Sequence, residues 1–170
     1  MTSRCSHGSR RPRTPELASA PGPCFSTSRS ECRLEGMTTE LLLATGTQSW
    51  DEIKTTVAES VTDLIAGNSE GLTIAAPQFG KRIDAAMIEG GELRLIAAGN
   101  DSLSGENRLA VRDERAVIAV GFKVTSDSWG TFQWDWSTPV IPKDVASGIV
   151  RTMRDIYKTS PEEVEVVASI

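Results

Sequence analysis

Histidine and cysteine are missing from most of this chain. The single histidine, His7, and all three cysteines, Cys5, Cys24 and Cys32, fall within residues 1–36, which leaves residues 37–170 with neither imidazole nor thiol. That absence removes cysteine proteases, Ser/His/Asp hydrolases and any His- or Cys-ligated zinc site from the body of the chain. Three cysteines in a loop-like head do not make a disulfide framework, although an intermolecular disulfide stays open. Long apolar runs are missing too: nothing approaches the ~20 residues a membrane-spanning helix needs. The opening "MTSRCSHGSRRPRTPELASAPGPC" has the basic start of a secretory signal but not its apolar centre, and Pro12, Pro15 and "PGP" disfavour the amphipathic helix of a transit peptide. Phosphate-binding loops are absent, since "EGGELR" and "AAGNDSLSGEN" contain neither Gly-x-Gly-x-x-Gly nor Gly-Lys-Ser/Thr.

Positive charge is scarce where it would count. The first 36 residues hold six arginines against three glutamates, and residues 37–170 hold twelve Lys/Arg against twenty Asp/Glu, so the head carries about +3 and the body about −8. Affinity for phosphate backbones comes from Lys and Arg displacing counterions, so an acidic body argues against a nucleic-acid partner.

What is present is an ordinary single-domain composition, 170 residues with 39% hydrophobic and 24% charged. Residues 1–36 are dominated by Ser, Arg, Pro and Gly without an apolar period. They bury too little to offset chain entropy and are expected to be disordered. At Met37 the character changes to "MTTELLLATG", and that methionine is a natural initiator. Residues 1–36 therefore read as an upstream extension from a misplaced start, and residues 37–170 as one domain.

"SWDEIKTTVAESVTDLIAGN" places Trp50, Ile53, Val57, Val61, Leu64 and Ile65 at helical spacings, with a Ser49/Glu52 capping box and Gly67-Asn68 as the stop. "LTIAAP", "RIDAAMIE" and "ELRLIAAG" read as strands, the last two joined by a Gly90-Gly91 hairpin turn. "VRDERAVIAVGF" reads as a short helix with Asp113 as N-cap and Gly121 as stop. "FKVTS" and "GTFQWDW" are two further strands. "PKDVASGIVRTMRDIYK" is a helix with Val145, Ile149, Met153 and Ile156 on one face, and its Gly148 marks a close approach to the sheet. Ser160 to Glu163 starts a last helical turn with a second Ser-x-x-Glu box. The order α-β-β-β-α-β-β-α, with hairpin turns rather than long crossovers, predicts an α+β fold with an antiparallel sheet.

The stretch "AVGFKVTSDSWGTFQWDWSTPVIPKDVASGIVRTMRDIYKTSPEEVEV", residues 119–166, resembles the bacterial TY-Chap domains, which are similar to type III secretion chaperones and to YbjN-like proteins. The features that carry it are Val120-Gly121-Phe122, Trp134 and Trp136, Pro139 and Pro142, the segment 150–154, Ile156-Tyr157 and Ser160-Pro161. The upstream helix and three-strand meander fit the same order, so the resemblance covers roughly residues 49–168. This chain departs from the pattern in having Phe122 where tryptophan is usual and a shortened loop at residues 126–130. The resemblance implies a compact sheet-and-helix domain of the bacterial cytoplasm, without cofactor or chemistry, that binds protein segments and, as such domains often do, pairs with itself as a homodimer.

The candidate contact residues follow from "WGTFQWDWSTP", which holds three of the four tryptophans. Alternation puts Phe132, Trp134 and Trp136 on one strand face and Thr131, Gln133 and Asp135 on the other. One reading is a core strand under a helix. Another is an apolar groove for a client or partner protein, with Trp129 in the preceding turn as a further contact. Base stacking would want Lys and Arg around the rings, and Asp127 and Asp135 stand there instead. Arg151, Arg154 and Lys158 share a helix face, as a solvated surface or as a basic strip meeting an acidic partner or a symmetry mate. Asp84 with Glu89, or Asp113 with Glu114, are the only raw material for carboxylate or hard-metal chemistry, and without an Asp-x-Asp-x-Asp-Gly run they read as a wet face. The expected function is non-enzymatic protein binding; an obligate dimeric structural subunit and a carboxylate- or metal-dependent enzyme are the alternatives.

Overall fold

A serine hydroxyl starts the first helix. The Ser49 hydroxyl accepts from the Glu52 amide at 3.3 Å, and the Glu52 carboxylate accepts from the Ser49 amide at 2.7 Å. This reciprocal capping box satisfies two orphan donors and sets an acid at the positive end of the helix. Helix α1 (Trp50–Ala66) then buries Ile53, Val57, Val61 and Leu64 before Gly67 ends it in a left-handed conformation. Ile65, placed by its spacing on the apolar face, is 41% exposed; it stands ~100° round the helix from Leu64 and so turns off the buried stripe.

The structure, a computed structural model, describes residues 39–44, 48–125 and 130–170. All lie within one unit, Gly36–Ile170. The expectation of disorder in residues 1–36 falls outside the described residues.

The remaining elements are β1 (Glu40–Ala44), which precedes α1, then β2 (Gly71–Ala76), β3 (Lys81–Met87), β4 (Leu93–Ala97), α2 (Val111–Val120), β5 (Lys123–Val124), β6 (Phe132–Trp136), α3 (Pro142–Arg151) and β7 (Glu165–Ser169). The strands form one seven-stranded sheet in the order β1-β7-β2-β3-β4-β6-β5, and every hydrogen-bonded pair is antiparallel. The fold is therefore α+β with an antiparallel sheet. Gly90 and Gly91, at φ 91° and 78°, close the β3–β4 hairpin in the region that primed turns require.

Two strands, β1 and β7, stand beyond the order read from the sequence. The Ser160 box does form, with the Ser160 amide donating to Glu163 at 2.8 Å, but it caps a single 3₁₀ turn, Pro161–Glu163. The chain then extends because Val164, Val166 and Ala168 alternate and bury one side. Helix α2 also begins earlier than expected: Ala110 is its N-cap, and Asp113 lies in the first turn.

Each helix links strands that run parallel without being neighbours, with one or more antiparallel strands between them. Thus α1 carries the chain over β7 from β1 to β2, and α3 carries it over β4, β3 and β2 from β6 to β7. One sheet face is consequently buried, with Leu72, Ile74, Ile83, Leu93 and Leu95 between 0% and 2% exposed. The opposite face, with Thr73, Arg82, Asp84, Arg94, Ile96, Gln133 and Asp135, is partly or fully exposed.

Helix α3 widens into a π-helical turn over Thr152–Ile156. Its end is fixed to the sheet twice. The Lys81 ammonium donates to the Tyr157 carbonyl at 2.6 Å, and the Tyr157 hydroxyl donates to the Ala98 carbonyl. Tyr157 is 1% exposed, and this burial pushes its phenol well above the ordinary tyrosine range.

A phenol with a raised folded pKa stabilises the fold below its unfolded value, about 10, and that contribution is lost as pH rises beyond it. Tyr157 is the only tyrosine, so phenolate absorbance reports it alone. Absorbance should stay flat through pH ~10 and rise only as the chain unfolds; a simple titration near that pH with the fold intact would disprove the burial. Tyr157→Phe should cost about 1–2 kcal/mol at neutral pH, from the carbonyl left unpaired, and flatten the alkaline loss of stability.

Candidate functional site

The tryptophan strand faces inward. In β6, Phe132, Trp134 and Trp136 lie opposite Ala97, Leu95 and Leu93 of β4, all three of them fully buried core residues. Phe132 is 4% exposed; Trp134 and Trp136 are partly buried and pack on the core. The Trp134 ring meets Phe122 edge-on at 5.3 Å between centroids and Trp136 at 4.6 Å with a 33° tilt.

Two glycines make room for the Trp134 indole. A β-carbon on Gly121, the residue after α2, would lie 2.5 Å from Trp134 Cε2, and one on Gly148 of α3 would lie 2.9 Å from Cζ3. Gly121 also sits at φ 134°, where L side chains are strained. The close approach expected at Gly148 is thus made to this one ring.

Carboxylates on the open sheet face are committed to neighbours. Asp84 accepts from Thr73 at 2.8 Å and from Arg82 at 2.6 Å. Asp135 accepts from Arg94 at 2.8 Å and from Gln133 at 2.7 Å, and these bonds, the arginine's above all, hold its carboxyl below the usual range. Glu114 accepts from Asn100 at 2.8 Å, while Asp113 stands 3.7 Å from Arg112 and Glu89 is exposed in the turn after β3. Among the described residues no three of His, Cys, Asp or Glu gather where they could hold a metal ion, and no helix is long and apolar enough to cross a membrane.

The other sequence-derived candidates are dispersed. Arg151 and Arg154 are exposed; Arg154 donates to Asp155 at 2.7 Å, and both line a cleft with Trp50, Asp51 and Lys54 beside α1. Trp129 lies outside the described residues. A larger groove of about 510 Å³ runs between α1 and the start of α3; with Lys54, Glu59 and Lys143 along it, it presents both signs of charge.

Apolar side chains reach solvent elsewhere. Val111 and Ile118 of α2 and Val124 of β5 are 63%, 47% and 63% exposed, and together with Phe132 and Arg115 they border a groove of about 390 Å³. Val111 and Ile118 are seven residues apart, two helical turns, on the side away from the buried Val117. At the far edge of the sheet, Leu41, Leu42 and Ile170 are 48%, 53% and 54% exposed. The sequence reading did not single these residues out. Their signal was an α2 with more apolar positions than one inward face uses, and a leucine run longer than an edge strand can bury.

No protein-family model, no curated protein and no solved structure matches the chain. The likeness to TY-Chap domains rests on the chain's own residues, chiefly those of 119–166.

Replacing Gly148 with alanine gains up to ~1 kcal/mol of helix propensity but drives a β-carbon into a rigid indole, an overpacking cost of roughly 1–3 kcal/mol. Gly148→Ala should therefore destabilise the wild type and be close to neutral or stabilising in a Trp134→Phe background. Urea denaturation of the four-member cycle measures this. Equal costs in both backgrounds would show that the ring is not what the glycine accommodates.

Proposed function

We propose that this domain is a non-enzymatic protein-binding module of the chaperone-like type, and that its contact surface is the α2–β5 rim. The observation that carries this reading is the cluster of solvent-exposed Val111, Ile118 and Val124 around the 390 Å³ groove. Surface apolar residues scattered singly are ordinary; several converging on a concave site with a polar border mark a place for another molecule. Asn100, Asp101, Glu114 and Arg115 supply that border.

The tryptophans act as support for this surface. Phe132 contributes to the groove floor from β6, and the indole of Trp134 holds the C-terminal end of α2 against the sheet. The groove thus lies on elements fixed by the core, which lowers the ordering cost of binding. β5 is only two residues long, so recognition rests on side chains and groove shape more than on added strand pairing. The engaged carboxylates of Asp84, Asp135 and Glu114 weigh on the same side, since a general acid or base must be free to exchange its proton with substrate. A bacterial, cytoplasmic setting and kinship with the secretion-chaperone-like domains belong to the same proposal.

The test is photo-crosslinking from position 118 in a lysate of the source cells, with position 59 on α1 as control. Discrete protein adducts are expected from 118 and not from 59. Ile118→Glu and Val124→Asp, introduced separately with the crosslinker moved to position 111, should each reduce those adducts at least about tenfold, the loss of roughly 1.4 kcal/mol or more from a desolvated contact, with the melting temperature within a few degrees of wild type. Absence of adducts from the rim, or the same adducts from both positions, would defeat the reading.

A further inference from the structure

Strand β1 is an open edge of the sheet. β7 covers one of its sides, and among the described residues no strand pairs with the other. Thr39 and Ile170 exchange both of their backbone hydrogen bonds, at 3.1 Å and 2.9 Å, while the Ser169 carbonyl accepts from the Glu70 amide on the other side of β7 at 2.8 Å. Antiparallel ladders alternate, so Leu41 faces β7 like Thr39, and Glu40 and Leu42 turn their N–H and C=O groups outward.

The side chains on this edge invite company. Leu41 and Leu42 are 48% and 53% exposed on opposite faces of the strand. β1 carries no lysine or proline, two usual safeguards of an edge. Its one bulge, between Leu42 and Ala44, lies at the end of the strand.

We propose that β1 pairs antiparallel with β1 of a second copy of this chain about a twofold axis through Leu41, joining two seven-stranded sheets into one. The alternation of backbone groups decides the register. Pairing must set the outward-facing residues against each other, which excludes any axis that falls between two residues. An axis at Glu40 opposes two glutamates, which is destabilising, and an axis at Leu42 draws the bulge into the ladder. The axis at Leu41 avoids both. It sets Glu40 against Leu42 of the second copy, and the reverse, for four backbone hydrogen bonds, and brings the two Leu41 side chains together as a non-hydrogen-bonded pair, the closer of the two kinds. The interface is isologous and closes at two copies. It lies at the sheet edge remote from the α2–β5 rim, so it stands or falls independently of the reading above.

The experiment is light scattering after size exclusion on the full 170-residue chain across the micromolar range. The expected mass is twice 18.3 kDa. Leu42→Pro removes an outward-facing donor and no bond to β7, and Leu41→Lys opposes two ammonium groups at the axis. Each should raise the dimer dissociation constant at least about tenfold, the equivalent of one lost hydrogen bond in each half of the interface or a like-charge pair at its centre, with an unchanged circular dichroism spectrum. Should Leu42→Pro fail to fold, Leu41→Lys carries the test alone. Ile118→Glu should stay dimeric. A monomer throughout the range would overturn the proposal, as would a dimer that survives both β1 substitutions or one that Ile118→Glu dissolves.

Discussion

The seating of one indole organises this molecule. Trp134 projects from β6 into a notch that exists because Gly121 and Gly148 have no side chains there, with contacts that a β-carbon would close to 2.5 Å and 2.9 Å. Cores are packed to crystal density and transmit misfit over many neighbours. The ring therefore sets the height of α3 above the sheet, and the place where α2 must end, in a single contact. The chain uses the glycine at the end of α2 both to stop the helix and to admit the ring, and the φ of 134° at Gly121 is a conformation a larger residue would hold only under strain. The π-helical turn that follows α3 and the Lys81 and Tyr157 anchors at its end complete the same arrangement, fixing the far end of that helix after the indole has fixed its middle.

Local signals in the sequence were legible where they were strong and self-contained. The Ser49 box, the stripe of α1, the Gly90-Gly91 turn and the two-residue period of β6 each state their structure within a few residues. β7 did not, although it lies between β1 and β2 inside the sheet. Its six-residue alternation follows a helix-start motif that correctly predicts one turn, and nothing local says that the turn will be the last. Its partners, β1 and β2, lie about 95 to 125 residues earlier in the chain, so its pairing is a property of the closed fold. β1 was hidden for a related reason. Three leucines in a row carry no period, and a short apolar run reads equally as helix, strand or linker until its neighbours are known.

The candidate site was less legible than the fold, for a physical reason. Aromatic density drew attention to residues 129–136, but large aromatics are also what a helix-covered strand buries best, and Phe132, Trp134 and Trp136 face the core. What distinguishes a contact surface from a core is exposure, and exposure is not written in the residue type. Val111, Ile118 and Val124 look like core residues in sequence; they become a rim only because Val117 occupies the inward side of α2 and β5 is the last strand of the sheet.

Among the described residues the sheet has two open edges, β1 and β5, and two such edges pose a problem of association, since an edge of one copy can template an edge of the next and extend without limit. Here the edges are unlike. β5 offers only Lys123 and Val124, too little ladder to hold a strand, so a β1-to-β5 contact between copies would form few bonds and would set the leucines of β1 against a lysine and a single valine. β1 offers five residues, with outward backbone groups placed so that self-pairing about Leu41 uses them in full. On the proposed pairing, the short edge works against open-ended growth while leaving its side chains available to a different partner, and the long edge would be satisfied by a contact that terminates at two. A closed self-interface on β1 and a binding rim at α2–β5, if both proposals hold, would occupy opposite ends of the sheet and would not compete for each other's surface.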